Sequence, residues 1–148
     1  MTVHWCGAGL SAIPGLRRLI KNGYDVVVWN RTVDKANAAV GDITKNIRVF
    51  DKSSLQDCLE ENDIVVSMLP ADWHVPLASL AILKKAHFVS SSYIAPEMRI
   101  LDSEFKKINR VCINEVGLDP GIDHLMAHKL VSDYRQSKQY NIENELSF

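Results

Sequence analysis

Val3-His4-Trp5-Cys6-Gly7-Ala8-Gly9-Leu10-Ser11-Ala12-Ile13-Pro14 is the stretch that decides the fold. A strand over Val3 to Cys6 runs into a turn with two glycines, and apolar residues then recur at Ile13, Leu16, Leu19 and Ile20 with helical spacing. Strand, glycine turn and helix in that order are the context in which such a turn reads as a dinucleotide-binding loop. Gly7 permits the tight turn, and Gly9 removes the Cβ that would block a pyrophosphate. Ala12 stands where a small residue lets helix and strand approach. Leu10 and Ser11 complete the loop, and the helix N-terminus faces the anion with free N–H groups. Pro14 lacks an N–H but falls in the first turn, where that donor has no intrahelical partner.

Outward from this loop, Asn22-Gly23 stops the first helix and a second strand spans Asp25 to Trp29. It ends in Asn30-Arg31-Thr32, with an amide where an NAD enzyme places the acidic residue that binds the ribose 2'-hydroxyl. The carboxylate that would repel a 2'-phosphate is missing, and Arg31 and Thr32 can donate to that phosphate. NADP is therefore expected over NAD. Further strands are expected at Ile47 to Phe50, Ile64 to Leu69, His87 to Ser90 and Val111 to Asn114, mostly too apolar to have one face in water. Between them, Asp51, Ser53 and Ser54 can cap a helix carrying Leu55 and Leu59, and Met98, Leu101, Phe105 and Ile108 form a second helical stripe. The expected fold is α/β, a doubly wound parallel sheet of six strands in the order 3-2-1-4-5-6.

Composition narrows the function. The 148 residues are 47% hydrophobic and 24% charged, the make-up of one ordinary globular domain. Seventeen basic against eighteen acidic side chains give a net charge of -1 with no basic block, so nucleic acid is not an expected partner. The longest apolar runs fall far short of the ~20 residues that cross a bilayer, no membrane association is expected, and the N-terminus does not read as a secretory signal. A cytoplasmic location follows as an expectation. Cys6, Cys58 and Cys112 form no C-x-x-C pair and read as structural thiols. His124 and His128 stand four apart on a helix in which Ile122, Leu125, Met126 and Leu130 face one way. Two histidines without the H-E-x-x-H pattern do not make a zinc site, and no metal is expected.

Two later segments add a family resemblance. Ser91-Ser92-Tyr93-Ile94-Ala95-Pro96-Glu97-Met98 and Asn114-Glu115-Val116-Gly117-Leu118-Asp119-Pro120-Gly121-Ile122-Asp123-His124 resemble the saccharopine dehydrogenase family, in its glutamate-forming branch, and the related carboxynorspermidine synthases. The opening Gly7-x-Gly9 with Pro14 and the Asp63 to Pro70 strand agree with that family. The resemblance implies NADP in a Rossmann domain, and reductive condensation or oxidative cleavage of an amino acid and an aldehyde at a C–N bond. It implies that Leu69 and Pro70 border the cofactor, while Tyr93 and Asp119 look towards the nicotinamide and an amino-acid substrate. On residue type alone Tyr93 reads equally as a packing tyrosine with a wet tip, and Asp119 as a turn or capping carboxylate before Pro120.

Family members continue into a second, substrate-holding domain. Residues 1–136 correspond to the cofactor domain, and residues 137–148 form a polar segment in which Leu146-Ser147-Phe148 resembles the next domain's first strand. The chain is either part of a longer enzyme or a non-catalytic NADP(H)-binding module that senses cofactor or joins a partner chain. Without a second domain, apolar surface near the sixth strand and its helix is expected to be uncovered and to favour a homodimer.

Overall fold

The computed structural model describes residues 1–143. Six strands form one parallel sheet: β1 (Val3–Cys6), β2 (Val26–Asn30), β3 (Ile47–Val49), β4 (Ile64–Ser67), β5 (His87–Ser90) and β6 (Cys112–Ile113). Their order is β3-β2-β1-β4-β5-β6, the expected doubly wound arrangement. The crossovers are α1 (Ile13–Lys21), α2 (Val33–Val40), α3 (Lys52–Cys58), α4 (His74–Leu83) and the pair α5 (Pro96–Ile100) and α6 (Asp102–Lys107). The long helix α7 (Ile122–Gln136) follows β6.

The strands are buried on both faces because alternate residues feed two separate cores. Val3, Trp5, Val26, Val28 and Val66 pack with Leu16 of α1 and with Ala36 and Val40 of α2. Cys6, Val27, Trp29, Val65 and Phe88 pack on the other face with Leu55, Leu77, Met98 and Phe105. Burying one Leu or Phe side chain contributes ~1.5–3 kcal/mol. An exposed ion pair contributes ~1 kcal/mol at most. These two cores, and not surface pairs such as Lys106–Asp102, hold the molecule together.

One polar group lies on the Trp29 side of the sheet. The Trp29 indole N–H donates to His4 Nδ1 at 3.2 Å, which leaves the other ring nitrogen to donate to Asp63 3.2 Å away. Asp63 also accepts from the amides of Thr2 and Glu60. Burial holds the His4 pKa below its usual value. Asp63, in spite of burial, is held below the usual carboxylate range by the amides of Thr2 and Glu60 and by His4. The group ties the starts of β1 and β4 to the end of β2.

Several boundaries differ from the sequence expectation. β2 is shifted one residue to Val26–Asn30, and β3 ends at Val49. β4 stops at Ser67: the Met68 amide still reaches the Cys6 carbonyl at 2.8 Å, but Leu69 and Pro70 belong to the connection. β6 shrinks to Cys112–Ile113, being an edge strand paired with β5 alone. The stripe Met98, Leu101, Phe105, Ile108 is divided between two short helices that meet at Leu101, yet all four residues reach the same core. Asp51 caps α3 as its position suggested, accepting from the Ser54 amide at 2.8 Å. The α7 stripe lies bare, as expected of apolar surface near the sixth strand and its helix: α7 buries none of its residues, and Leu125 is 70% exposed. The strand expected at residues 146–148 lies outside the described residues.

Candidate cofactor and active site

The order reverses between β1 and β4, and ligands of such sheets bind at the carboxyl ends of the strands there. Gly7 leaves β1 with φ +103°, and a Cβ on it would lie 2.6 Å from the Met68 carbonyl oxygen. Nothing but hydrogen fits between the ends of β1 and β4. At Gly9 the reverse holds, since a Cβ there would meet no atom within 4 Å. The space beside Gly9 is the cradle a pyrophosphate requires, and the residues present fit that group. Ala12 is buried at the head of α1, Leu10 and Ser11 are exposed, and α1 begins without a side-chain cap. The Ala12 and Ile13 amides donate to the Gly9 carbonyl and Pro14 has no N–H, so the donors left to face an anion are the amides of Leu10, Ser11 and Gly15.

Asn30 ends β2 with both polar atoms engaged. Its Oδ1 accepts from the Ala8 amide at 3.1 Å, and its Nδ2 donates to the Thr32 carbonyl at 2.7 Å. A carboxylate here could accept from Ala8 but could not donate to Thr32, so the amide fastens the loop after β2 to the glycine loop. Arg31 and Thr32 follow it and are exposed.

A second group gathers after β5 and β6. The Tyr93 hydroxyl donates to Asp119 Oδ1 at 2.5 Å. That bond is the first cause of a Tyr93 pKa held above the ordinary tyrosine value, so the phenol stays a donor. The His124 ring meets Tyr93 edge-on at 6.4 Å, and its Nδ1 lies 3.1 Å from Asp123. The segment carrying Tyr93 is laced to the one carrying Asp119: the Glu115 amide donates to the Ser92 carbonyl, and the Ile94 amide donates to the Glu115 carboxylate. Gly121 closes the turn beyond Asp119 with φ +144°, where any Cβ would strike the Gly117 carbonyl. Residue type alone left Tyr93 and Asp119 open; the fold brings them together.

Leu69 is half-buried against the core and Pro70 is exposed, both where the chain leaves β4. Behind them lies a contact that residue reading missed. His74, the first residue of α4, sits 2.8 Å from Ser67 Oγ through Nδ1 and 2.7 Å from Ser92 Oγ through Nε2. The only sequence signal was a histidine opening an otherwise apolar helix. His124, whose spacing to His128 did not make a zinc site, has a neighbour of another kind. It is exposed, but it also lies against Tyr93. Among the described residues, no three His, Cys, Asp or Glu side chains gather as metal ligands.

The family described as saccharopine dehydrogenase NADP binding domain matches residues 3–113. The chain belongs to that family. Its cofactor is NADP, as Asn30-Arg31-Thr32 led one to expect. The chain is 37% identical over 135 residues to the saccharopine dehydrogenase [NADP(+), L-glutamate-forming] of Saccharomyces cerevisiae, covering 88% of this chain and 30% of that protein. It is 34% identical over 125 residues to the mitochondrial alpha-aminoadipic semialdehyde synthase of Rattus norvegicus, covering 84% of this chain and 12% of that protein. The apo structure of the yeast L-Glu-forming saccharopine dehydrogenase superposes with a TM-score of 0.76 at 35% identity, over 91% of this chain and 31% of that one. This saccharopine dehydrogenase-family domain thus spans less than a third of the length of these relatives.

Proposed function

We propose that this domain is the NADP(H)-binding part of an oxidoreductase that joins an amino acid to an aldehyde, or cleaves the product, at a C–N bond. The observation that carries the reading is the Tyr93–Asp119 hydrogen bond at the same carboxyl end of the sheet as the glycine loop. In this reading Gly7, Gly9, Leu10, Ser11 and Ala12 hold the pyrophosphate. Asn30 keeps Arg31 and Thr32 beside the 2'-phosphate, and Leu69 and Pro70 border the cofactor.

Reducing an imine to a secondary amine needs hydride at carbon, which NADPH supplies when bound, and a proton at nitrogen. Asp119 keeps one carboxylate oxygen on the Tyr93 hydroxyl, and its second oxygen can pair with a substrate ammonium or hold the nitrogen's proton. Tyr93, kept protonated beside Asp119, orients that carboxylate. The names of the yeast and rat relatives favour glutamate and an amino-acid semialdehyde as the substrate pair.

Residues 1–136 are the cofactor domain in this reading, with residues 137–148 leading to the substrate domain. Self-association as a homodimer is supported by the bare apolar face of α7. A cytoplasmic setting is supported by three free cysteines. Among the described residues, no helix is long and apolar enough to cross a membrane.

Nuclear magnetic resonance of the labelled chain titrated with NADPH tests the reading. The amides of Gly9, Leu10 and Arg31 and the Tyr93 ring should all move. Movement confined to the glycine loop, with Tyr93 and Asp119 silent, would favour the non-catalytic cofactor module instead.

A further inference from the structure

The Ser67–His74–Ser92 chain joins three parts of the fold: the end of β4, the first residue of α4 and the loop after β5. His74 is 5% exposed and Ser67 is fully buried. The chain therefore ends in the core and leads no proton to solvent. Its outer end is Ser92, the residue before Tyr93. On the other side of Tyr93, the Ile94 amide is held by the Glu115 carboxylate at 3.2 Å. Tyr93 itself is 61% exposed and has little packing to choose its rotamer. An exposed phenol keeps a single carboxylate partner only if the backbone beneath it is fixed.

We propose that His74 is a positioning residue: by clamping Ser92 to the end of β4, it sets the backbone from which Tyr93 reaches Asp119. The consequence for catalysis rests on the proposed function, but the clamp does not. Neutral imidazole, favoured here by burial, offers one donor and one acceptor, and the two serine hydroxyls can complement either tautomer. Ala at position 74 would leave both hydroxyls without their partner and remove the tie to β4, so that the Ser92-Tyr93 backbone would keep only the Glu115 amide on the Ser92 carbonyl and the Glu115 carboxylate on the Ile94 amide.

The readout is the titration of Tyr93, followed by NMR in the full chain with isotope-labelled tyrosine. In the wild type Tyr93, bonded to Asp119, should titrate above its ordinary value. His74→Ala and Ser92→Ala should each lower that midpoint by about half a pH unit or more. Neither should lower it further in an Asp119→Asn background, where the acceptor charge is already gone. A wild-type Tyr93 midpoint in both variants, whatever the loss of thermal stability, would reduce His74 to a packing residue and overturn the proposal. If His74→Ala does not fold, Ser92→Ala decides alone. NADPH titration of the wild type is read separately: no binding would remove the functional reading and leave the Tyr93 result standing.

Discussion

Gly7 and Gly9 stand two residues apart and carry opposite constraints. At Gly7 both the positive φ and the Met68 carbonyl exclude a side chain, whereas at Gly9 a side chain would enter open space. Gly7→Val should therefore lower the thermal midpoint, with backbone strain alone costing ~1–3 kcal/mol. Gly9→Val should keep the midpoint and abolish binding of either cofactor. Unchanged affinity in Gly9→Val, measured by calorimetry, would show that the loop is only a turn. Arg31 makes a prediction of another kind. Losing one charge-assisted pair to a phosphate costs ~1.5–3 kcal/mol, so Arg31→Ala should weaken NADPH roughly tenfold or more and leave NADH nearly untouched. Equal losses for both cofactors would contradict the 2'-phosphate assignment. These residues were legible because a glycine turn between strand and helix has few other meanings. Asn30 was legible only by contrast, as an absent carboxylate. Its two hydrogen bonds, which fasten one loop to the other, need three dimensions to be seen.

At the scale of elements, the sheet order was readable because apolar runs and helical stripes alternate without a break. The ends of elements were not, because local contacts set them. β4 gives way to the Leu69-Pro70 connection and β6 has only one neighbour, so both are shorter than their apolar runs. The Met98 to Ile108 stripe was right about burial and wrong about continuity, since the two helices meeting at Leu101 keep the same side toward the core. For α7, periodicity found the apolar face but not its partner. Leu125, Met126 and Leu130 are all exposed. Replacing these three by Gln should leave the thermal midpoint of the monomer within a few degrees, because surface changes cost under ~0.5 kcal/mol each. On the proposed homodimer, the wild type should elute as a dimer and this variant as a monomer. A large loss of stability would mean that α7 packs on its own domain.

For the whole molecule, acid sensitivity follows from three histidines. His4, His74 and His87 all have pKa values pushed below 6.5, first by burial. Just below pH 6.5 the unfolded chain takes up protons that the folded chain refuses, so stability is full above that pH and falls as pH drops through it. Asp63, held below 3.8, adds a loss only at still lower pH. Thermal midpoints recorded from pH 8 to pH 5 should decline steadily below about 6.5, and a flat profile would contradict the buried neutral histidines. Catalysis lies at the same scale. Holding a substrate carbon against the nicotinamide needs walls on several sides. In the proposed site Tyr93 and Asp119 supply one, so the 148-residue chain should bind NADPH yet show no steady NADPH oxidation with glutamate and a lysine-derived semialdehyde. The most direct test of NADP binding at the glycine loop and Arg31 is calorimetric titration of this chain with NADPH and with NADH, side by side. The expected result is one site that takes NADPH at least about tenfold more tightly than NADH. No binding of either nucleotide, or equal affinity for both, would contradict it.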